Sequence, residues 1–159
     1  MKKLVCVIVA ILILVSRSIS AYAEELIQVP QEFIEISDEL GNQYNICPEL
    51  IQAICWYESR FDANAESKGC VGIMQINAKW HGDRMDRLGI TDLKDIRQNM
   101  TVGVDYLAEL FQDSCDPAEV LMIYHGEHDI ESQLSQGKIS KYAESILELS
   151  RILERRNGK

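Results

Sequence analysis

One acidic residue interrupts an otherwise apolar helical pattern. Glu58 stands four residues after Ile54 and seven after Ile51, so its carboxyl group lies on the same helical face as these apolar side chains. A carboxyl group in an apolar setting keeps its proton to a higher pH than one in water. Such a group can act as a general acid in glycosidic cleavage, because it protonates the leaving oxygen. The alternative is a structural Glu58 that pairs with Arg60 or a lysine at the surface.

A loop with polar side chains follows this helix. Residues 69–77 read Gly-Cys-Val-Gly-Ile-Met-Gln-Ile-Asn and combine two glycines with Gln75 and Asn77. Glycine lets the backbone approach a ligand closely, and amide side chains both donate to and accept from sugar hydroxyl and acetamido groups. A G-x-x-G loop alone usually indicates a turn. The loop indicates a sugar-binding site only in combination with Glu58.

Together these segments carry a family resemblance. Residues 58–61 (Glu-Ser-Arg-Phe), followed by residues 69–77, resemble the lytic transglycosylases of the soluble SLT type, a lysozyme-like group that acts on peptidoglycan. Residues 99–110, with the pattern N-x4-G-x2-Y-L-x2-L, and residues 121–124 (Leu-Met-Ile-Tyr) are similar to two further segments of that family. The resemblance runs from about Glu32 to Leu153, and it implies a lysozyme-like fold without a cofactor.

The resemblance also implies a mechanism. Glu58 is the single catalytic acid and base: it protonates the glycosidic oxygen between N-acetylmuramic acid and N-acetylglucosamine. As a carboxylate it then accepts the proton of the muramic C6 hydroxyl, which attacks C1 and closes a 1,6-anhydro ring. One carboxylate serves twice because the nucleophile belongs to the substrate. The residues expected to bind substrate are Ser59, Met74, Gln75, Asn77, Tyr124 and His125.

These residues receive different roles from the resemblance. Gln75 is expected to hold the sugar, with Met74 as an apolar wall, and Tyr124 to place its hydroxyl near Glu58. Ser59 is expected to make polar contacts at the cleavage site. The plain alternatives are a helix C-terminal serine and a buried tyrosine that bonds a nearby carbonyl.

Residues 124–127 (Tyr-His-Gly-Glu) depart from the family pattern Y-N-x-G. His125 replaces the asparagine, and the segment is one residue short. Histidine still donates and accepts hydrogen bonds, but an unperturbed imidazole changes its charge at about pH 6.5. The departure therefore affects substrate placement more than the acid itself. A metal site formed with Glu127, His128 and Asp129 is not expected, because the H-E-x-x-H order is absent.

The elements that must position these residues are mainly helical. Apolar residues recur at helical spacing, prolines stand where helices begin, and the period-2 alternation of strands is nearly missing. Residues 62–77 read as a loop with a short extended piece, and 91–93 as a helix start. Asn99 matches a glycosylation sequon but makes better sense as a helix cap. The fold class is a mainly α, lysozyme-like single domain, with predicted helices at 31–43, 48–61, 83–88, 99–112, 117–124 and 140–155.

The N-terminal residues read as a signal peptide. A basic start at residues 1–3 precedes an apolar run at 4–15, and Ala21-Tyr22-Ala23 matches the small-x-small cleavage pattern. The run is short for a membrane span, which needs roughly 20 apolar residues. An uncleaved anchor is the alternative. We expect cleavage after Ala23 and a secreted or cell-envelope bacterial protein, with residues 24–159 as its domain and no membrane contact afterwards.

Charge and cysteine content limit the partners. The 159 residues carry 25 acidic and 16 basic side chains, a net charge of −9, which argues against nucleic acid and against anionic membranes. The expected partner is the peptidoglycan glycan strand. A secretion or conjugation apparatus is a further hypothesis from small size alone.

Cys47 and Cys55, about 12 Å apart on one helix, are too distant to form a disulfide with each other. The remaining possibilities are the pairings 47–70 with 55–115 or 47–115 with 55–70, or free thiols.

Two other functions remain open at this level. A hydrolytic, lysozyme-like muramidase would use water and a second carboxylate, for which Asp62, Glu66 and Asp83 are candidates. A non-catalytic peptidoglycan-binding module would result if the segment around His125 has lost the productive geometry. The mass of the released fragments separates the transglycosylase from the muramidase, since anhydro ends lack one water.

Overall fold

Helices dominate the computed structural model, which describes residues 27–159. The predicted signal peptide and its cleavage site therefore lie outside the described residues. The elements confirm the mainly α prediction and the short extended segment that follows the helix of Glu58. They are α1 Gln31–Tyr44, α2 Pro48–Ser59, β1 Glu66–Ser67, β2 Cys70–Val71, α3 Ala78–Leu88, α4 Ile96–Asp113, α5 Pro117–Tyr124, α6 Ile130–Ser135 and α7 Lys141–Arg156.

Helix α2 lies at the centre of the domain and packs against α1 and α7. It begins with Pro48, whose fixed φ suits a first helical position. Its side chains are apolar on nearly every side, and Ile51, Ile54 and Cys55 are completely buried. The helix ends at Arg60, which adopts the left-handed conformation and donates its backbone N–H to the Trp56 carbonyl. Glu58 thus stands in the last turn, where the core meets the surface.

A small hairpin follows α2. β1 and β2 pair antiparallel, with Glu66 opposite Val71 and Ser67 opposite Cys70. The two residues between them, Lys68 and Gly69, have φ values of 52° and 84°, as a two-residue hairpin turn of type I′ requires. An isolated bridge between Val71 and Ile76 then folds the rest of the loop back on the hairpin.

Helix α4 begins earlier than the sequence pattern predicts. Its N-cap is Asp95, whose side chain accepts from the backbone N–H of Gln98. Asn99 lies inside the helix and is fully buried, so its predicted role as a cap is wrong. Burial also keeps the Asn99 amide away from the surface, which a glycosylated asparagine must reach.

Two further helices differ from the sequence prediction. α3 begins at Ala78 rather than Asp83, because Asn77 caps it by accepting from the Lys79 N–H. A kink at His81 hides this first turn from a periodicity reading. α6 was not predicted, since a helix of six residues offers little apolar periodicity.

Four cysteines fall in the described part of the chain, and all of them are free thiols. Cys55 is completely buried in α2, and this burial raises the pKa of its thiol. Cys47 and Cys115 are exposed, and Cys70 is half-buried in β2. Neither of the two pairings left open by the sequence occurs among these residues. No helix within residues 27–159 is long and apolar enough to cross a membrane.

A buried carboxylate joins the start of α2 to the end of α7. Glu49 is 1% exposed, and it accepts hydrogen bonds from Asn157 Nδ2 at 2.7 Å and Lys159 Nζ at 3.0 Å. The Cys47 thiol donates to the same carboxylate at 3.1 Å. Burial by itself raises the pKa of Glu49, but these three donors together hold it at about 2.

We expect this contact to make stability depend on acid pH. Because the pKa of Glu49 falls from 4.5 to about 2 on folding, its contribution is complete above pH 4.5 and is lost as the pH falls toward 2. Urea unfolding of wild type and Glu49→Gln, measured between pH 7 and pH 2, should show a stability difference that shrinks over that interval. A difference that stays constant with pH would contradict the assignment.

Candidate active site

Glu58 projects from the last turn of α2 and is half-buried. The Tyr142 hydroxyl, on α7, donates a hydrogen bond to Glu58 Oε1. Burial raises the pKa of Glu58 above its ordinary value, while the Tyr142 hydrogen bond and the charge of His125 partly oppose the rise. The geometry therefore provides a carboxyl group that holds its proton to higher pH, with a donor that also stabilises the carboxylate.

Aromatic rings surround the hydroxyl that contacts Glu58. The Tyr57 ring meets the Tyr142 ring edge-on, with centroids 5.6 Å apart. On another side His125 stacks on Tyr142 with centroids 4.0 Å apart and ring planes 8° from parallel. His125 Nδ1 lies 3.2 Å from Glu127 Oε1. Tyr142 is thus fixed by two rings while it holds Glu58.

A cleft of about 510 Å³ opens beside this cluster. Four of the predicted binding residues line it: Gln75, Asn77, Tyr124 and His125. Glu58 is not itself among the lining residues; it adjoins the cleft through Tyr142, which bonds Glu58 and on which the lining residue His125 stacks. The far end of the cleft is lined by Trp80, which is 75% exposed, and by His81, Arg84, Tyr106 and Glu109.

The loop that carries Gln75 is held in an unusual backbone conformation. Gln75 itself has a φ of 49°, which a non-glycine residue adopts rarely. Its side-chain amide donates to the carbonyl groups of Gly72 at 2.9 Å and Ala65 at 3.1 Å. Gln75 therefore braces the loop in addition to lining the cleft.

Met74 and Tyr124 have other roles than those expected. The Met74 side chain is completely buried and packs against Gly103 of α4, so it does not form an apolar wall of the cleft. The Tyr124 hydroxyl donates to the Met74 carbonyl at 2.9 Å, whereas Tyr142 takes the position beside Glu58. The Tyr124 hydroxyl, which was expected near Glu58, interacts electrostatically with that residue, but its hydrogen bond goes to a backbone carbonyl, the plain alternative.

Tyr142 was missed because it occupies an apolar position of a helical repeat. Its ring fills the buried face of α7, and only its hydroxyl reaches Glu58, so periodicity counts it as a core residue. The one available signal was a polar group on an apolar face. That signal is the same one that identified Glu58.

Ser59 and Asn77 fix the two ends of the loop. Ser59 Oγ lies 2.9 Å from the Ile73 carbonyl and 3.1 Å from the Cys55 carbonyl, which ties the loop to the end of α2. Asn77 Oδ1 accepts from the Lys79 N–H at 3.0 Å, and the residue lines the cleft at the same time. Both residues position backbone around Glu58.

Asn99 holds the loop from below. Its Oδ1 accepts from the Met74 N–H, and its Nδ2 donates to the Val71 and Leu93 carbonyls, each at 2.8 Å. Gly72 lies against this amide, and a Cβ atom at Gly72 would clash with it. The buried amide thus supplies the backbone partners that an irregular buried loop lacks.

Two tyrosines provide a matched test of this geometry. In Tyr142→Phe the pKa of Glu58 should rise further, because the carboxylate loses its donor. In Tyr124→Phe it should stay unchanged, and the loss of the bond to Met74 should lower the free energy of unfolding by about 1 kcal/mol. Carboxyl-carbon NMR titration and urea unfolding measure the two effects, and an equal shift of the Glu58 pKa in both variants would contradict the arrangement.

Most of the other candidate carboxylates have partners of their own. Asp62 accepts from the backbone N–H of Asn64, and Glu66 forms an ion pair with Lys94. Asp83 does not line the cleft. Glu109 does, but it is ion-paired with Arg84 at 2.8 Å. Residues 27–159 hold no group of three or more His, Cys, Asp or Glu side chains that could bind a metal.

The fold and this site together define a lysozyme-like domain: a central helix ends in a half-buried glutamate, and a short hairpin and loop border the adjacent cleft. The family model for the Transglycosylase SLT domain matches residues 35–146. That range covers more than two thirds of the chain, and the chain belongs to this family. The expected lysozyme-like fold is thereby confirmed.

Two curated relatives of the chain are named as lytic murein transglycosylases. The chain is 31% identical over 102 residues to Membrane-bound lytic murein transglycosylase F of Desulfosudis oleivorans, which covers 62% of this chain and 22% of the relative. It is 32% identical over 96 residues to Endo-type membrane-bound lytic murein transglycosylase A of Salmonella paratyphi B, with coverage of 55% and 47%. The chain thus matches between about a fifth and about half of the length of these relatives.

Proposed function

We propose that this protein is a peptidoglycan lytic transglycosylase in which Glu58 is the catalytic acid and base. The observation that carries the proposal is the half-buried Glu58 carboxyl beside the cleft, bonded to Tyr142. Membership of the SLT family and the names of the two relatives, both lytic murein transglycosylases, support this reaction class. The substrate is the glycan strand, cleaved between N-acetylmuramic acid and N-acetylglucosamine.

The two proton transfers follow from the surroundings of Glu58. Burial raises the pKa of Glu58, so that the carboxyl group holds its proton to higher pH and is available to protonate the glycosidic oxygen. The resulting carboxylate keeps the Tyr142 hydrogen bond and interacts with the charge of His125. It then accepts the proton of the muramic C6 hydroxyl while that oxygen attacks C1, which gives the 1,6-anhydro product.

The partners of the other carboxylates favour this route over hydrolysis. Glu109, which lines the cleft, is engaged by Arg84, Glu66 is paired with Lys94, and Asp62 accepts from the Asn64 N–H. An inverting hydrolase needs a second carboxylate roughly 6.5–9.5 Å from the first to activate water. The muramic hydroxyl removes that need.

The binding roles of Gln75, Asn77 and His125 belong to the same proposal. Each of them lines the cleft and carries a group that both donates and accepts, which suits sugar hydroxyl and acetamido groups. Ser59 would act through the loop rather than on the sugar. The signal peptide, the secreted or cell-envelope location and a larger partner assembly remain predictions from the sequence.

Mass spectrometry of the released muropeptides tests the reaction. Purified protein incubated with peptidoglycan should release fragments with anhydro-muramic ends, each lighter by one water than the hydrolytic product. Fragments with reducing ends would contradict the transglycosylase and indicate a muramidase. Binding to peptidoglycan without soluble fragments would contradict catalysis and indicate a binding module.

A further inference from the structure

His125 stands where the structure connects the cleft to Glu58. Its ring lies flat on Tyr142, with 4.0 Å between centroids, and Tyr142 donates to Glu58 Oε1. Its Nδ1 faces Glu127 Oε1 at 3.2 Å. A continuous series of contacts therefore leads from Glu127 through His125 and Tyr142 to the carboxyl group of Glu58.

We propose that His125 is a positioning residue: its ring, which Glu127 contacts, holds Tyr142 on Glu58, and the positive charge of its protonated form favours the carboxylate of Glu58. The inference rests on the proposed function for its effect on turnover, but not for its effect on the carboxyl group. It assigns His125 a role through Tyr142 in place of a contact with the sugar alone.

The stack acts on geometry. Two rings confine Tyr142, with Tyr57 at its edge and His125 on its face. A tyrosine held on both sides keeps its hydroxyl within hydrogen-bond reach of Glu58 at little entropic cost. A side chain without a ring at position 125 leaves one face of Tyr142 uncovered.

The proton acts on charge. Histidine is the side chain whose charge ordinarily changes between about pH 5 and pH 8. A positive His125 favours the carboxylate form of Glu58, in opposition to burial. Glu127, with a side chain that is 17% exposed, lies 3.2 Å from the imidazole Nδ1.

The remaining groups around His125 leave Glu127 as its ionic partner. Arg84 and Glu109 line the same cleft, where they pair with one another at 2.8 Å, and Arg84 also pairs with Asp105 of α4. The tyrosine hydroxyls stay protonated, since burial raises the pKa of Tyr124 and Tyr142 well above the ordinary value. The groups that face the cleft with His125 are Tyr124 from α5, Cys70 from β2, His81 and Arg84 from α3, and Tyr106 and Glu109 from α4.

Two replacements separate the ring from the charge. His125→Phe keeps a flat ring on Tyr142 and removes the charge, whereas His125→Asn removes both. His128→Phe is the matched control, because His128 is an exposed histidine three residues away that takes no part in the stack. The side chain of His125 is itself 49% exposed, so the fold should tolerate each change.

The first measurement is a carboxyl-carbon NMR titration of the full chain, with the Glu58 signal assigned by its loss in Glu58→Gln. The midpoint of Glu58 should rise by about half a pH unit in both His125 variants and stay constant in His128→Phe. An unchanged midpoint in both variants, or an equal shift in the control, would overturn the charge coupling.

The second measurement is the pH profile of fragment release from soluble, uncrosslinked glycan strands. The alkaline limb should move to higher pH in both His125 variants, because Glu58 keeps its proton longer. His125→Asn should also have a kcat about tenfold below that of His125→Phe at every pH, whereas a lost contact with the sugar would change KM. Equal kcat values would overturn the positioning role of the ring.

The two measurements distinguish this inference from the proposed function. If the wild type releases no fragments while the midpoint of Glu58 still moves in both His125 variants, the function fails and the coupling stands. If the wild type is active and its pH profile is unaffected by either replacement, the function stands and the coupling fails.

Discussion

Glu58→Gln should reduce the release of anhydro-muropeptides by roughly 10²–10⁴-fold, the range that general acid–base catalysis contributes. Glutamine keeps the size of the side chain and can still accept the Tyr142 hydrogen bond, but it neither gives nor takes a proton. Both proton transfers depend on this one group, so the loss should lie toward the upper end. Quantification of anhydro ends by mass spectrometry measures it.

The same replacement should leave the fold intact. Because burial raises the pKa of Glu58 above 4.5 in the folded protein, its ionised form costs stability, and that cost grows as the pH rises through the folded pKa. At pH 7 the variant should therefore unfold at the same temperature as the wild type or higher. The matched control is Glu131→Gln, an acidic residue of α6 that does not line the cleft. Normal cleavage by Glu58→Gln would show that another group is the acid.

Asn99→Ala should be the most destabilising single replacement in the region of the site. It leaves the Met74 N–H and the carbonyl groups of Val71 and Leu93 without their partner in a buried setting. An unsatisfied buried polar group costs about 1–3 kcal/mol, so the loss should reach about 3 kcal/mol or more in total. Urea unfolding at pH 7 measures the change in the free energy of unfolding.

Asn99→Asp tests the reason for this effect. Aspartate has the same shape but cannot donate to the Val71 and Leu93 carbonyls, so it should be destabilising as well. Asn64→Ala, an exposed asparagine of the preceding loop, should change the free energy of unfolding by no more than about 0.5 kcal/mol. Wild-type stability in Asn99→Asp would mean that the two donated bonds contribute nothing.

Loss of Asn99 should also reduce activity in the fraction that stays folded. The loop held by Asn99 carries Gln75, whose left-handed backbone depends on surrounding contacts. A looser loop places the amide of Gln75 less accurately in the cleft. Fragment release per folded molecule, compared at a temperature below the unfolding transition, separates this effect from instability.

The sequence by itself determined four of the helices and singled out Glu58 as the candidate acid. Apolar periodicity depends only on neighbours three and four residues apart, and it located α1, α2, α5 and α7 to within a few residues. The same local rule singled out Glu58, because one carboxylate on an apolar face is visible without knowledge of the partner helix. The motif of residues 69–77 then added the family, which the family model confirmed.

Only the tertiary structure decided which side chains serve Glu58. Tyr142 lies 84 residues from Glu58 in the chain, and Asn99 lies 25 residues from Met74, so no local spacing links these pairs. The family resemblance placed the Tyr124 hydroxyl near Glu58, and the local helix pattern gave Asn99 a capping role. The packing of α7 against α2 and the burial of α4 under the loop supplied the actual partners. A buried polar group forms its hydrogen bond with whichever donor or acceptor the fold brings close to it, and this depends on how the helices pack rather than on local sequence.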